Sequence, residues 1–167
     1  MQTHDTPLTI RPATPADMAA IGRLGALLVR LHHDFDPQRF LAATPGTERS
    51  YAAFLGGQLK VPDVIILVAA RGGDVLGYTY AAIEGIDYLT LRGPAGLLHD
   101  LVVDPAHRRQ GLGRMLLDAT LVAIKERGAP RVVLSTAAQN ASAQRLFEYA
   151  GFRPTMVEMT RELTDDV

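Results

Sequence analysis

The chain has 167 residues, of which 47% are apolar and 21% charged, with a formal net charge of −1 and no cysteine. This size and balance are typical of one globular domain with its own core, so we expect a single domain at 1–167 with its core at about 8–163. The near-neutral charge argues against DNA, RNA or an anionic membrane as a partner. The lack of cysteine excludes disulfides, thiolate metal sites and cysteine nucleophiles.

The N-terminal segment has neither the basic start nor the apolar centre of a signal peptide. The longest apolar run, Val64 to Ala70, is too short to cross a bilayer. These two features predict a cytoplasmic protein that has no membrane partner.

Hydrophobic periodicity and turn residues predict the first half of the chain. Thr14-Pro15-Ala16-Asp17 supplies a cap, a proline at the first helical position and a carboxylate near the helix start. Arg71-Gly72-Gly73-Asp74 is typical of a hairpin turn. The predicted elements are a strand at 8–11, a helix from 14 to about 32, a helix at 47–60, and strands at 64–70 and 75–84.

The second half alternates strands with helices. Gly128 is expected to end an amphipathic helix, and Asn140 is expected to cap the next one. The predicted elements are a strand at 97–103, a helix at 111–127, a strand at 131–135, a helix at 140–150, and a final strand within 152–163. This order predicts a mixed α/β sheet with helices on both faces.

A basic, glycine-containing segment, Arg108-Arg109-Gln110-Gly111-Leu112-Gly113, lies where a strand ends and a helix begins. The first amides of a helix have no partner within it and carry the positive end of its dipole. The two glycines let an anion approach the backbone, and Arg114 adds further charge, so the segment predicts a diphosphate site. The segment lacks the Lys-Ser/Thr pair of a P-loop, and no glycine fingerprint opens an earlier strand–helix unit, which disfavours nucleotide hydrolysis and NAD binding.

From Leu8 to Leu163 the chain resembles the GNAT N-acetyltransferase superfamily. The matching residues are Val102-Val103-Asp104-Pro105, the segment Arg108 to Gly113, and the run from Asn140 to Phe152. The resemblance implies a mixed, mostly antiparallel sheet in which two central parallel strands splay apart. It also implies acetyl-CoA, or another acyl-CoA, as a co-substrate.

The resemblance further implies which residues contact the acyl-CoA. Its pyrophosphate would lie on Arg108, Arg109, Gln110, Gly111, Leu112, Gly113 and Arg114. The pantetheine arm would pair with the backbone of Leu101, Val102 and Val103, and Asn140 would contact the same region.

Phe147 is also expected to contact the acyl-CoA, and it marks a departure from the family pattern, because many members carry at this position a tyrosine that protonates the leaving sulfur. Tyr149 lies two residues on, nearly on the opposite side of the helix, and is a poor substitute. A thiol has a pKa of about 8.5, so the thiolate can leave without an acid. Phe147 therefore puts the protonation step in doubt but leaves activity plausible.

His99 and Glu84 are the candidate general bases for amine deprotonation. An unperturbed histidine, with a pKa of about 6.5, can accept a proton at neutral pH. Arylalkylamine-type members, which the chain resembles here, carry a histidine at the same distance before the first arginine. Strand alternation predicts His99 on the face of Leu97 and Leu101, with Asp100 on the opposite face. A structural histidine and a solvated strand end remain the alternative readings of His99 and Glu84.

The resemblance places the acceptor amine near 31–36 and 88–92. Four carboxylates in or near these segments are expected to attract a cation: Asp34, Asp36, Glu84 and Asp87. The neighbouring His32 and His33 match no standard metal spacing, so no metal is expected.

These observations favour an N-acetyltransferase that moves an acetyl group from acetyl-CoA to a primary amine of a small molecule or peptide by direct attack in a ternary complex. The alternative, motivated by Phe147, is a catalytically weak acyl-CoA-binding or sensing protein. Nucleic-acid binding through the arginines is a third hypothesis, opposed by the overall charge. The oligomeric state stays open, with a homodimer that completes the sheet edge as one candidate.

Overall fold

The computed structural model describes residues 6–163 as a five-stranded sheet with four α-helices. The strands are β1 (Leu8–Pro12), β2 (Val64–Arg71), β3 (Asp74–Glu84), β4 (Ala95–Val103) and β5 (Val132–Leu134). The helices are α1 (Met18–Phe35), α2 (Thr47–Gln58), α3 (Leu112–Glu126) and α4 (Ala141–Tyr149). Two short 3₁₀ turns cover Pro15–Asp17 and Pro105–His107. Across residues 6–163, no helix has both the length and the hydropathy that crossing a membrane requires.

The strands lie side by side in chain order, from β1 to β5. The pairs from β1 to β4 are antiparallel, and β4 pairs with β5 in parallel. The parallel pairing runs from Gly96 with Val132 to Leu98 with Leu134, whereas β4 continues to Val103. The predicted mixed, mostly antiparallel sheet is therefore confirmed.

Each face of the sheet is covered by a pair of helices. One core layer joins α1 and α2 to the sheet through Ile21, Leu24, Leu55, Tyr78 and Val102. The other joins α3 and α4 to the sheet through Leu117, Ile124, Phe147, Ala81 and Leu98. Because both faces are buried, β2 is a nearly continuous apolar run, as strands covered on both faces usually are.

The start of the first helix follows the predicted capping chemistry. An Asp17 carboxylate oxygen accepts a hydrogen bond from the Thr14 backbone N–H at 2.8 Å. The Arg11 guanidinium donates to both carboxylate oxygens of Asp17, at 2.8 and 2.9 Å, and lowers the pKa of Asp17 to about 2. α1 then extends to Phe35, beyond its expected end near His32.

The prediction of a final strand within 152–163 is wrong, because these residues form neither helix nor strand. Pro154 lacks the N–H that a ladder needs. Glu158 is paired with Arg39 of the loop after α1, so the tail is directed to that loop and does not follow the sheet edge. Its large apolar side chains, Met156 and Val157 among them, are exposed.

A β-bulge in β4 changes the direction of the side chains around His99. Tyr80 pairs with Asp100 and Ala81 with Leu98, so His99 is the extra residue. His99 and Asp100 both contact tyrosines on the α1–α2 face, whereas Leu101 packs into the opposite layer. The predicted sharing of a face by His99 and Leu101, with Asp100 opposite, is therefore wrong, because the bulge interrupts the alternation on which it depended.

Candidate active site

The connection from β4 to α3 contains two residues in the left-handed region of backbone space. The φ angle is 61° at Arg109 and 79° at Gly111. Glycine adopts this conformation at little cost, whereas a non-glycine residue there costs on the order of 1–3 kcal/mol. A turn of this kind directs successive amides toward a common point, which suits an anion.

The start of α3 adds further amides to this turn. The Met115 N–H donates to the Gly111 carbonyl at 3.0 Å, which is the first hydrogen bond of the helix. The amides of residues 112–114 precede it and have no helical partner. A Cβ placed on Gly111 would meet no heavy atom within 4 Å, so the space above this backbone is open. No carboxylate occurs between Asp104 and Asp118 to repel an anion.

The side chains of this segment differ in what they can contact. Arg108 and Arg109 are exposed, and Arg108 Nε lies 3.4 Å from the Val103 carbonyl oxygen. Arg114 Nε donates to both Asp118 oxygens at 2.8 Å, so this guanidinium is directed along the helix and away from its start. The Leu112 side chain is buried, which leaves its backbone for a ligand. The residues present therefore fit a diphosphate through backbone amides and two arginines.

The β4 backbone beyond Leu98 has a free edge on the β5 side, since the parallel pairing ends there. Within the described residues, this edge includes Leu101, Val102 and Val103, the residues that the resemblance assigns to the pantetheine arm. Asn140 lies at the start of α4, where its side-chain oxygen accepts a hydrogen bond from the Ala143 N–H at 3.1 Å. The side-chain nitrogen of Asn140 carries two donors that can contact a ligand.

Phe147 and Tyr149 lie on different sides of α4. Phe147 is buried in the α3–α4 layer, with its ring centroid 5.8 Å from that of Phe152. Tyr149 is 84% exposed. The ring expected near the sulfur thus packs into the protein and carries no hydroxyl, and Tyr149 faces solvent.

The structure brings the two candidate bases together. His99 Nε2 lies 3.7 Å from a Glu84 carboxylate oxygen, and both side chains are partly exposed. The His99 ring stacks on Tyr80 with centroids 4.8 Å apart and planes at 30°. The other Glu84 oxygen accepts a hydrogen bond from Arg92 at 2.9 Å. Arg92 also lies 3.9 Å from Asp87, so one guanidinium serves both carboxylates.

A buried carboxylate beside His99 was not predicted from the sequence. One Asp100 oxygen accepts hydrogen bonds from the Tyr51 hydroxyl at 2.6 Å and the Tyr78 hydroxyl at 2.8 Å. Burial raises the pKa of Asp100, although the two hydroxyl donors oppose this. Burial also raises the pKa of both tyrosines, so they stay neutral donors that join α2 and β3 to β4. An aspartate inside an apolar strand was the available sequence signal.

At the end of α1, His32, His33 and Asp36 have local partners. His32 Nδ1 lies 2.9 Å from the Leu28 carbonyl oxygen, and His33 Nδ1 lies 3.0 Å from that of Phe40. Asp36 accepts hydrogen bonds from the backbone of the turn that follows it, and Asp34 is exposed. In the described part of the chain, no group of three or more His, Cys, Asp or Glu side chains is placed to hold a metal ion.

Comparison with known proteins identifies the family. Residues 28–152 match the acetyltransferase (GNAT) family model, so the chain belongs to this family, and the resemblance seen in the sequence is confirmed. The uncharacterized N-acetyltransferase YhfO of Bacillus subtilis (strain 168) is 30% identical over 147 residues, which cover 87% of this chain and 89% of YhfO. The mycothiol acetyltransferase of Thermobispora bispora is 35% identical over 96 residues, which cover 55% of this chain and 31% of that protein.

A solved structure supports the same fold. An aminoglycoside N-acetyltransferase, AAC(6')-Iy in complex with CoA, superposes with a TM-score of 0.73 at 17% identity, with 98% of this chain and 99% of that chain covered. The chain spans about a third of the length of the mycothiol acetyltransferase, at 31%. The family and the names of these relatives support an N-acetyltransferase enzyme.

Proposed function

We propose that the protein is an N-acetyltransferase that moves an acetyl group from acetyl-CoA to the primary amine of a small molecule or peptide, by direct attack in a ternary complex. The observation that carries this proposal is the turn at Arg108 to Gly113, with left-handed Arg109 and Gly111 at the start of α3, in a chain of the GNAT family. The CoA bound to the aminoglycoside acetyltransferase supports acetyl-CoA as the donor.

Acetyl-CoA supplies a thioester, and the residues of this chain would hold and orient it. The amides of 110–114 and the side chains of Arg108 and Arg109 would bind its diphosphate, since the space at Gly111 is open and both arginines are exposed. The free edge of β4 at 101–103 would pair with the amides of its pantetheine arm. Asn140 would add one side-chain N–H near the start of α4.

His99 is the proposed general base, with Glu84 as its partner. A neutral amine is the nucleophile, so an ammonium substrate must first lose a proton. His99 is partly exposed and 3.7 Å from the Glu84 carboxylate, which stabilises the imidazolium that forms. Glu84 is the second candidate base. Neither Phe147 nor Tyr149 is placed to donate a proton, so the thiolate is proposed to leave without an acid.

Release of CoA from acetyl-CoA, measured with a thiol reagent across a panel of primary amines, tests the proposal. We expect release that depends on an amine and saturates with it. Tight binding of acetyl-CoA without turnover on any amine would favour the alternative, a catalytically weak acyl-CoA-binding or sensing protein. The absence of both acetyl-CoA binding and turnover would refute the enzyme proposal and the alternative alike.

A further inference from the structure

Three rings from three elements form a continuous row on the α1–α2 face of the sheet. Phe54 of α2 meets Tyr80 of β3 edge-on, with centroids 6.0 Å apart and planes at 84°. Tyr80 stacks on His99 of β4 at 4.8 Å. We call Phe54, Tyr80 and His99 the aromatic row. It ends at the two candidate bases, because Glu84 lies 3.7 Å from His99.

The aromatic row is open to a ligand along part of its length. Phe54 is 53% exposed, His99 is exposed and Tyr80 is half-buried between them. Phe54 and His99 lie outside the core cluster of this face, and Tyr80 packs against it with only part of its surface. Aromatic faces favour flat apolar groups and cations, because the ring quadrupole is negative at the face.

The charge at the His99 end matches a single cation. Arg92 is hydrogen-bonded to Glu84 and lies close to Asp87, and its side chain is only 10% exposed. At the solvent-accessible part of this end, Glu84, Asp87 and Arg92 leave one uncompensated negative charge, whereas the nearby Asp100 is buried and hydrogen-bonded to two tyrosine hydroxyls. A monocation neutralises that charge, whereas a polycation would bring Arg92 additional repulsion.

We propose that the aromatic row with Glu84 is the acceptor site, and that it takes a monocationic primary amine with a flat apolar or aromatic body. This rests on the proposed function. The flat part of the amine lies on Phe54 and Tyr80, and its ammonium lies beside the Glu84 and His99 pair. The ammonium proton passes to His99, and the neutral amine nitrogen bonds to the acetyl carbon. The carbon–sulfur bond of the thioester then breaks with its electron pair on sulfur, and the second proton that the nitrogen must lose passes to the thiolate or to water.

The test compares three amines. Ethylamine lacks the aromatic ring of 2-phenylethylamine, and spermidine carries additional positive charges. We expect kcat/KM, measured by CoA release, to be highest for 2-phenylethylamine by about tenfold or more, as a lost apolar contact usually costs. Phe54→Ala should raise KM for 2-phenylethylamine about tenfold and leave that for ethylamine unchanged. Val122→Ala is the matched control, because Val122 is 55% exposed on α3, on the other face of the sheet.

The outcomes separate this proposal from the proposed function. If spermidine is acetylated better than 2-phenylethylamine, or Phe54→Ala affects all three amines equally, the acceptor-site proposal is overturned while acetyl transfer stands. If no amine is acetylated, the proposed function fails. Calorimetric titration of 2-phenylethylamine into the CoA-saturated protein then decides the site alone: binding that Phe54→Ala weakens supports it, and absence of binding overturns it.

Discussion

Replacing Tyr78 with phenylalanine tests the buried cluster that joins β3, β4 and α2. The change removes one hydroxyl and leaves the ring, so packing is preserved. Tyr78 is fully buried, and its hydroxyl lies 2.8 Å from the Asp100 carboxylate. In Tyr78→Phe, that carboxylate keeps only the Tyr51 hydroxyl, at 2.6 Å. Asp100 would then be a buried carboxylate with half of its donors.

The expected loss follows from the charge of the acceptor and from its pKa. A hydrogen bond to a charged group contributes about 1.5–3 kcal/mol, so we expect Tyr78→Phe to lower the free energy of unfolding by about that much at pH 7. Burial already raises the pKa of Asp100, and the folded protein therefore loses stability as pH rises from the unfolded pKa to the folded one. The Tyr78 hydroxyl is a donor that lowers the pKa of Asp100, so its removal raises the folded-state pKa further. The pH range over which the folded protein loses stability becomes wider. The loss in free energy of unfolding of Tyr78→Phe, relative to wild type, therefore grows between pH 4 and pH 7.

Urea denaturation at pH 4 and pH 7 measures both effects. With a slope of about 1–3 kcal/mol per molar, the midpoint at pH 7 should fall by about 1 M. Tyr149→Phe is the matched control, since it removes a hydroxyl from an exposed tyrosine and should leave the midpoint unchanged. Equal midpoints for Tyr78→Phe and wild type, or a deficit that does not change with pH, would refute the reasoning.

Three further changes test other parts of the fold and site. Asp17→Asn should lower the free energy of unfolding by about 1–2 kcal/mol at pH 7. The low pKa of Asp17, about 2, contributes stability that is present above the unfolded pKa and lost as pH falls toward 2. An equal loss in urea titrations at pH 7 and pH 3 would contradict this. Gly77→Ala should cost about 1–3 kcal/mol in the same assay, since its Cβ would lie 2.6 Å from the Val102 carbonyl oxygen; an unchanged midpoint would show that the strand yields easily. His99→Ala should lower kcat/KM for an amine, measured by CoA release, because it removes the proposed base, and an unchanged kcat/KM would assign the base to Glu84 or to water.

The sequence predicts those parts of the fold that depend on local periodicity and turn chemistry. The helix starts, the hairpin and the turn before α3 follow from residues that lie close together in the chain, such as Thr14 with Asp17 and Arg109 with Gly111. These features can be predicted without knowing which distant residues are in contact, because caps, glycines and helix starts depend on residues a few positions apart.

The features that the sequence does not predict depend on contacts between distant residues. The bulge at His99 arises from the register of β4 on β3 and places His99 on the face of Asp100, where alternation predicts the face of Leu101. The aromatic row needs α2 to lie on Tyr80, and the course of the tail depends on the pairing of Glu158 with Arg39. Alternation and propensity describe a strand alone, so they cannot indicate where its register shifts or which partner a tail meets.

The most direct test of the central claim is a calorimetric titration of acetyl-CoA into the wild type and the double variant Arg109→Ala with Gly111→Ala. Lys60→Ala, which removes an exposed cation after α2, is the control, and thermal melts check that all proteins are folded. The diphosphate site predicts that the double variant raises Kd at least about tenfold, or about 1.4 kcal/mol, while Lys60→Ala leaves it unchanged. An unchanged Kd in a folded double variant would contradict the assignment of this turn as the acyl-CoA site.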